Sequence, residues 1–162
     1  MRFASHLIVA SGAFAVFVSC EQSALIQQPI TLVTYYLFVL VGCCLPDIDH
    51  PSSTIGRRVT FVSYPIRLIF GHRGITHSLL AVAILAYSSS LVGNLYLSWM
   101  TFGYAMHLLG DFLTDSGIPA LYPSRRRYRF IIVGSTGGLS EVLMVSLFSL
   151  ACGLLITFKW EY

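Results

Sequence analysis

Histidine and acidic side chains in this chain are concentrated in short blocks at the ends of apolar runs. The blocks are residues 45–51 (LPDIDHP), residues 71–77 (GHRGITH) and residues 107–111 (HLLGD), together with His6 and Glu141. On insertion scales, an ionisable group at the centre of a transmembrane helix costs about 2.5–3.5 kcal/mol. A cluster of such groups beside the bilayer core therefore needs a compensating partner. A divalent cation neutralises carboxylates and accepts neutral imidazole as a ligand. The pattern therefore predicts a metal site in a membrane protein.

Spacing within the blocks indicates which side chains can act together. His107 and Asp111 are four residues apart, so on a helix they share one face. The carboxylates of Asp47 and Asp49 point the same way if their segment is extended. Mixed imidazole and carboxylate ligands suit zinc, with manganese or iron as alternatives. The candidate ligands outnumber the four that hold the ion in a closed structural zinc site. We therefore expect one or two ions. The candidate ligands are His6, Asp47, Asp49, His50, His72, His77, His107 and Asp111.

Each block also has an explanation without a metal. His107 and Asp111 can form a hydrogen-bonded pair within one helix, and residues 46–51 can be a polar capping turn between two prolines. The metal interpretation is favoured only when all the blocks are considered together, because they use every histidine of the chain.

Composition places the chain among integral membrane proteins. Of its 162 residues only 10% are charged, and the mean hydropathy is +0.75, whereas soluble domains have about 25% charged residues. This length supports one domain, residues 1–162. The net charge of +3 lies in loops and does not favour nucleic acid as a partner. The cysteines lie in apolar runs without C-x-x-C spacing, which predicts buried hydrophobic side chains. They are Cys20, Cys43, Cys44 and Cys152.

Five apolar runs predict an all-α bundle of about five helices that crosses the membrane several times. Pro46 predicts that the second helix ends at Leu45, and Thr76 is the expected N-cap of the third. Residues 52–70 are too polar to span, so we expect them on the membrane surface or in a short packed helix. Phe17 fits a lipoprotein cleavage box poorly, which argues against removal of the first helix. The runs are residues 3–20, 29–45, 76–92, 95–113 and 139–158.

If consecutive helices alternate in direction, every ligand block falls on one face of the membrane. Lys159 falls on the opposite face. By the positive-inside rule the ligand face is cytoplasmic, which predicts a multi-pass protein of the bacterial inner membrane. The arginines on the ligand face are Arg2, Arg57, Arg58, Arg67, Arg73, Arg125, Arg126, Arg127 and Arg129.

A metal at such a site can activate water, which favours a hydrolase. Asp49 or Glu141 is the expected base, and Arg73 can clamp a phosphate oxygen. Basic and aromatic residues 122–130 are typical of a positive-inside loop with interfacial aromatic side chains, and they place anionic lipid headgroups near the site. We therefore expect membrane lipid as a partner and a phosphoester or phospholipid-like substrate.

Two other functions use the same ligands. A metal-ion or proton translocator is the main alternative, but it normally holds its ligands near the bilayer midplane, whereas these blocks lie at one surface. A non-catalytic scaffold joined by a metal is the third interpretation, and the number of candidate ligands argues against it.

Residues 45–51, residues 70–79 (FGHRGITHSL) and residues 107–111 resemble the YdjM family of inner-membrane proteins, described as membrane-bound metal-dependent hydrolases. The resemblance extends from His6 to about Glu141 and implies that the family's metal ligands correspond to the eight candidates named above. Asp115 stands where a non-acidic residue is expected. A looser similarity to zinc-dependent phospholipase C, which is also all-helical, suggests a phosphoester substrate.

Overall fold

A computed structural model describes residues 1–21, 28–71, 74–124, 126–130 and 135–159. Within these ranges the protein forms six α-helices and two short 3₁₀-helices, and the only β pairing is an isolated bridge between Ile118 and Tyr128. The 3₁₀-helices are Pro46–Asp49 and Ile75–His77. The predicted all-α class is confirmed. The α-helices are α1 (Phe3–Cys20), α2 (Pro29–Cys44), α3 (Thr60–Phe70), α4 (Leu79–Val92), α5 (Leu95–Phe112) and α6 (Leu139–Lys159).

The five predicted apolar helices are confirmed as α1, α2, α4, α5 and α6, with ends that agree to within three residues. By length and composition, three segments within the described ranges can cross a membrane, namely α1, α2 continued to Asp49, and α6. α4 is also apolar but has only 14 residues. The expected short helix between the second and third runs is confirmed as α3.

Two local predictions, the N-cap of α4 and the burial of Cys20, are wrong, and the segment with Asp47 and Asp49 does not take the extended form considered for it. Ser78, not Thr76, caps α4, because Ser78 has the extended backbone of an N-cap and its hydroxyl accepts from Ala81 N at 3.4 Å. The segment with Asp47 and Asp49 is not extended but continues α2 as a 3₁₀-helix, because Leu45 keeps helical backbone angles before Pro46. Cys20 is exposed, because α1 ends there.

α5 is the helix around which the others pack, with contacts to α1, α2 and α4, and α1 also packs along α6. α2 and α5 run parallel, since Tyr35 contacts Tyr96 near their starts and His107 contacts the Cys43 carbonyl near their ends, and they approach closely at two glycines. A Cβ atom on Gly42 would lie 1.9 Å from the carbonyl oxygen of Met100, and one on Gly103 would lie 2.0 Å from that of Val39. Small residues allow such close packing of membrane helices. The crossing brings the end of α2 against the last turns of α5.

Candidate metal centre

Four separate elements bring histidine and aspartate side chains to one end of the bundle. His6 lies in the first turn of α1, and Asp47 in the 3₁₀-helix that continues α2. His77 ends the 3₁₀-helix before α4, while His107 and Asp111 occupy the last two turns of α5. The residues that sequence spacing could not relate to one another are therefore assembled by the packing of α1, α2 and α5.

The centre of the cluster is formed by two imidazole nitrogens and two carboxylate oxygens. Asp47 Oδ1 lies 3.8 Å from His77 Nε2 and 3.7 Å from His107 Nε2. Asp111 Oδ2 lies 3.7 Å and 4.0 Å from the same two nitrogens. These separations are too long for hydrogen bonds. Both carboxylates therefore point at the same pair of nitrogens without bonding to them.

His6 approaches the same cluster from the side of α1. Its Nε2 lies 3.3 Å from Asp111 Oδ1, and its ring stacks on that of His107 with centroids 3.8 Å apart. Gly110 makes this approach possible, since a Cβ there would lie 2.9 Å from His6 Nδ1. Two triads have ligand atoms close enough for one ion, the first formed by His6, His107 and Asp111, the second by Asp47, His77 and His107.

Hydrogen bonds behind the histidines orient their rings. His107 Nδ1 lies 2.7 Å from the carbonyl oxygen of Cys43, which can only accept, so Nδ1 carries the hydrogen. The Thr76 hydroxyl donates to Asp49 Oδ2 at 2.5 Å and lies 3.1 Å from His77 Nδ1. The distance from His77 Nδ1 to Asp49 Oδ2 is 3.5 Å. The arrangement assigns the hydrogen of each ring to Nδ1. Nε2 of both rings then presents its lone pair to the cluster.

The geometry fits a divalent cation. Among the described residues, His77 Nε2 and His107 Nε2 are buried without a hydrogen-bond partner, a costly state for a polar atom. A tetrahedral ion with bonds of about 2.0–2.1 Å separates its ligand atoms by roughly 3.3–3.4 Å, slightly less than the distances here. Asp111 is buried and accepts from the Met1 ammonium group at 2.5 Å, while Asp47 is half-buried. A cation near both carboxylates would offset their remaining charge, so these two residues and the two Nε2 atoms form a candidate cation site.

The remaining candidates lie in different surroundings. Asp49 is fully buried behind His77 rather than inside either triad. His50 is half-buried, and its Nδ1 lies 2.9 Å from Ser52 Oγ. Glu141 joins the starts of α1 and α6, because its oxygens accept from Arg2 N at 2.8 Å and Gly137 N at 2.6 Å. His72 and Arg73 lie outside the described residues.

Asp115, which sequence analysis left out of the ligand set, is exposed and pairs with Thr136. The hydroxyl and backbone N–H of Thr136 both donate to Asp115 Oδ1, at 2.7 and 3.2 Å. The hydroxyl bond is the main cause that lowers the pKa of Asp115 below its ordinary value of 3.8.

Three supporting groups were missed by sequence reasoning. Thr76 stands directly before His77, and the Tyr104 hydroxyl donates to the Thr76 carbonyl oxygen from one turn before His107 on α5. Their positions beside two candidate ligands were an available signal. The Cys43 carbonyl has no sequence signal, because any residue offers the same group.

Comparison with known proteins shows which family and which relatives this chain resembles. Residues 1–161 match the family described as YdjM inner membrane protein. The protein named inner membrane protein YdjM in Escherichia coli (strain K12), and that of the same name in Shigella flexneri, are each 44% identical over 118 residues, which cover 67% of this chain and 60% of the relative. The matched region thus spans about three fifths of these relatives. Uncharacterized protein YvsG of Bacillus subtilis (strain 168) is 38% identical over 113 residues, covering 68% of this chain and 71% of that protein. No solved structure matches.

Proposed function

The chain belongs to the YdjM family of inner membrane proteins, and from this premise we propose that it is a multi-pass metal-dependent hydrolase of a membrane-borne phosphoester. The observation that carries the proposal is the convergence of Asp47 and Asp111 on Nε2 of His77 and His107. Hydrolysis is favoured over a purely structural role because one side of this cluster is open. The Asp47 side chain is 22% exposed, whereas the other three are at most 1% exposed.

His77, His107 and Asp111 would hold the cation and leave one position open to water, with zinc the best match to the ligand types and manganese or iron as alternatives. When bound, the cation would supply Lewis acidity toward the ester and make water a stronger acid. His107 has only Nε2 to offer, because Nδ1 bonds to Cys43 O, so the two triads cannot be filled independently. This sharing supports one ion, with His6 holding Asp111 in place.

The role of proton acceptor is best assigned to Asp47. Its carboxylate is the one in the cluster that solvent reaches, so it can take a proton from water that enters there. Asp49 accepts a hydrogen bond from the Thr76 hydroxyl, and both oxygens of Glu141 accept hydrogen bonds from backbone N–H groups. We therefore assign positioning roles to Asp49 and Glu141, which sequence analysis had named as candidate bases.

A lipid-borne substrate is supported by the charge around the cluster. Arg126, Arg127 and Arg129 are exposed in the connection between α5 and α6, and Arg126 lies over the Tyr128 ring. Exposed arginines attract anionic phosphate groups at a membrane surface. The positive-inside rule places this surface on the cytoplasmic side.

Metal analysis of the detergent-purified protein tests the site. We expect wild type to retain zinc or a related metal after dialysis, while His107→Ala and Asp111→Asn lose most of it. Asp115→Asn is the matched control, because it removes an acid four residues further along, beyond the end of α5, whose carboxylate accepts from Thr136. Equal metal content in wild type and Asp111→Asn would contradict the site.

A hydrolysis screen on phospholipids and soluble phosphoesters tests the reaction. We expect release of product by wild type and Asp115→Asn, and loss of at least a hundredfold in Asp111→Asn. If metal binds but no ester is cleaved, and proteoliposomes accumulate the ion, the protein is a translocator instead.

A further inference from the structure

The surface of α3 divides into three stripes with different surroundings. One stripe is packed, with Ser63 fully buried and Val62 and Ile66 half-buried. The opposite stripe is apolar and strongly exposed. Thr60 and Arg67 lie between them along one edge, where both are exposed. The members of the exposed apolar stripe are Phe61 (79%), Tyr64 (62%), Leu68 (77%) and Ile69 (71%).

An apolar phase must cover this stripe, because four large hydrophobic side chains on one helix face are unfavourable in water. α3 has 11 residues and is about 16 Å long at the rise of an α-helix, too short to cross a bilayer. It connects the end of α2 to the start of α4, both of which are apolar helices. The helix therefore lies at the level where the chain leaves and re-enters the apolar phase.

Positive charge flanks the stripe on its polar side. Arg57 and Arg58 are exposed just before α3, and Arg67 is exposed on its polar edge. No acidic residue occurs between Asp49 and Asp111. An apolar face beside a basic edge is the pattern of helices that lie in a membrane interface rich in anionic lipid.

α3 is also joined to the candidate metal centre. A Cβ on Gly56 would lie 2.0 Å from the carbonyl oxygen of His50 and 2.9 Å from Ser63 Oγ. α3 thus packs directly on the segment that carries Asp47 and Asp49.

We propose that α3 is an interfacial helix that inserts Phe61, Tyr64, Leu68 and Ile69 among lipid acyl chains and binds anionic phospholipid headgroups through Arg57, Arg58 and Arg67. The proposal rests on the exposure and charge of α3, not on the hydrolase activity. It makes an anionic phospholipid surface the specific partner of this part of the protein.

Spin labels at neighbouring positions test the insertion. Leu68→Cys and Arg67→Cys are each labelled in a background with Cys20→Ser and Cys44→Ser, in proteoliposomes that contain phosphatidylglycerol. We expect the label at 68 to collide mainly with oxygen and the label at 67 mainly with a water-soluble nickel reagent. Equal access of nickel to both positions, or spin–spin broadening at 68 from a second copy of the chain, would overturn the proposal.

Lipid selectivity tests the headgroup contact. We expect spin-labelled phosphatidylglycerol to associate with wild type several-fold more than phosphatidylcholine does. The triple variant Arg57→Gln, Arg58→Gln and Arg67→Gln should lose most of this preference and keep its bound metal, which shows that it is folded. Unchanged selectivity in the triple variant contradicts the proposed arginine contact. Loss of insertion or selectivity leaves the metal analysis untouched, so this inference and the proposed function fail by different measurements.

Discussion

Thr76 and the backbone of Cys43 decide which nitrogen of each histidine faces the candidate metal centre. The Thr76 hydrogen goes to Asp49, so its oxygen is left to accept from His77 Nδ1. The Cys43 carbonyl does the same for His107. A hydrogen bond at one ring nitrogen fixes the tautomer and makes the other nitrogen the metal ligand. The residues behind the cluster are therefore part of its chemistry.

Thr76→Val, which keeps the side-chain shape but removes the hydroxyl, is predicted to weaken metal binding. Loss of such an outer partner typically costs 10- to 100-fold in metal affinity. Competition with a chromogenic chelator measures the affinity, and the cobalt absorption spectrum reports a changed ligand field. Thr101→Val is the control, because Thr101 is a buried threonine of α5 whose hydroxyl bonds only to Leu97 O. Equal affinities of the two variants would contradict the orienting role.

Asp115 gives a prediction with a definite dependence on pH. Its hydrogen bonds from Thr136 lower the folded-state pKa below 3.8, so they stabilise the fold at pH above that value. The contribution is lost as pH falls through the lower, folded-state pKa. We expect Asp115→Asn to lower the melting temperature slightly at pH 7, with the difference disappearing as the pH falls below the folded-state pKa of Asp115. A difference that grows on acidification would contradict this assignment.

At the scale of single residues, the sequence predicts the candidate ligands better than the groups that form hydrogen bonds to them. Histidine and aspartate are identifiable because an apolar environment penalises them unless they have a function. Among the described residues, the structure places Asp47 and His77 in one triad with His107, and His6 and Asp111 in another. Thr76 was interpreted instead as an N-cap, because a threonine before an apolar run suits both roles and only tertiary contacts separate them.

The crossing of α2 and α5 depends on two glycines and determines where His107 sits. A methyl group at Gly42 or Gly103 would collide with backbone carbonyl oxygens of the facing helix, which cannot rotate away as a side chain does. The helices would have to separate. His107 would then lose its contact with the Cys43 carbonyl on the same pair of helices.

Gly103→Ala is accordingly predicted to destabilise the protein by about 1–3 kcal/mol, the usual cost of overpacking, and to reduce bound metal. Gly153→Ala is the matched control in α6, where a Cβ would meet nothing within 4 Å. Thermal unfolding in detergent and metal content are measured on both variants. Retention of wild-type stability and metal by Gly103→Ala would show that the crossing is less restrictive than these distances imply.

Elements that follow regular patterns were predictable, and the 3₁₀-helices were not. The five long helices follow from apolar runs of sufficient length. Residues 46–49 contain a proline and two acids, a composition that suits a capping turn as well as a 3₁₀-helix. The difference matters, because the 3₁₀-helix places Asp47 on the Nε2 side of His77 and Asp49 on its Nδ1 side. An extended segment would have directed both carboxylates to one side.

In the whole molecule, alternation of helix direction explains why distant blocks meet. α2 and α5 pack in parallel and therefore both end at the same end of the bundle, where the 3₁₀-helix after α2 brings Asp47 to His107. α1 and α6 run side by side in the same direction, since Gly12 faces Cys152 and Lys159 donates to the Ser19 carbonyl oxygen. Both helices therefore begin at the end of the bundle that holds His6 and Glu141.

The proposed topology places that end in the cytoplasm and the far end of α1 at the opposite surface. Cys20 is exposed at the far end, so a membrane-impermeant maleimide is predicted to label it in cells whose outer membrane alone is permeabilised. Cys20→Ser should abolish the signal. In that background Arg58→Cys, exposed just before α3, should react only after the inner membrane is opened. The reverse pattern would place the arginines and the metal centre outside the cytoplasm, against the positive-inside rule. A cytoplasmic phosphoester substrate would then be excluded, although the metal site would stand.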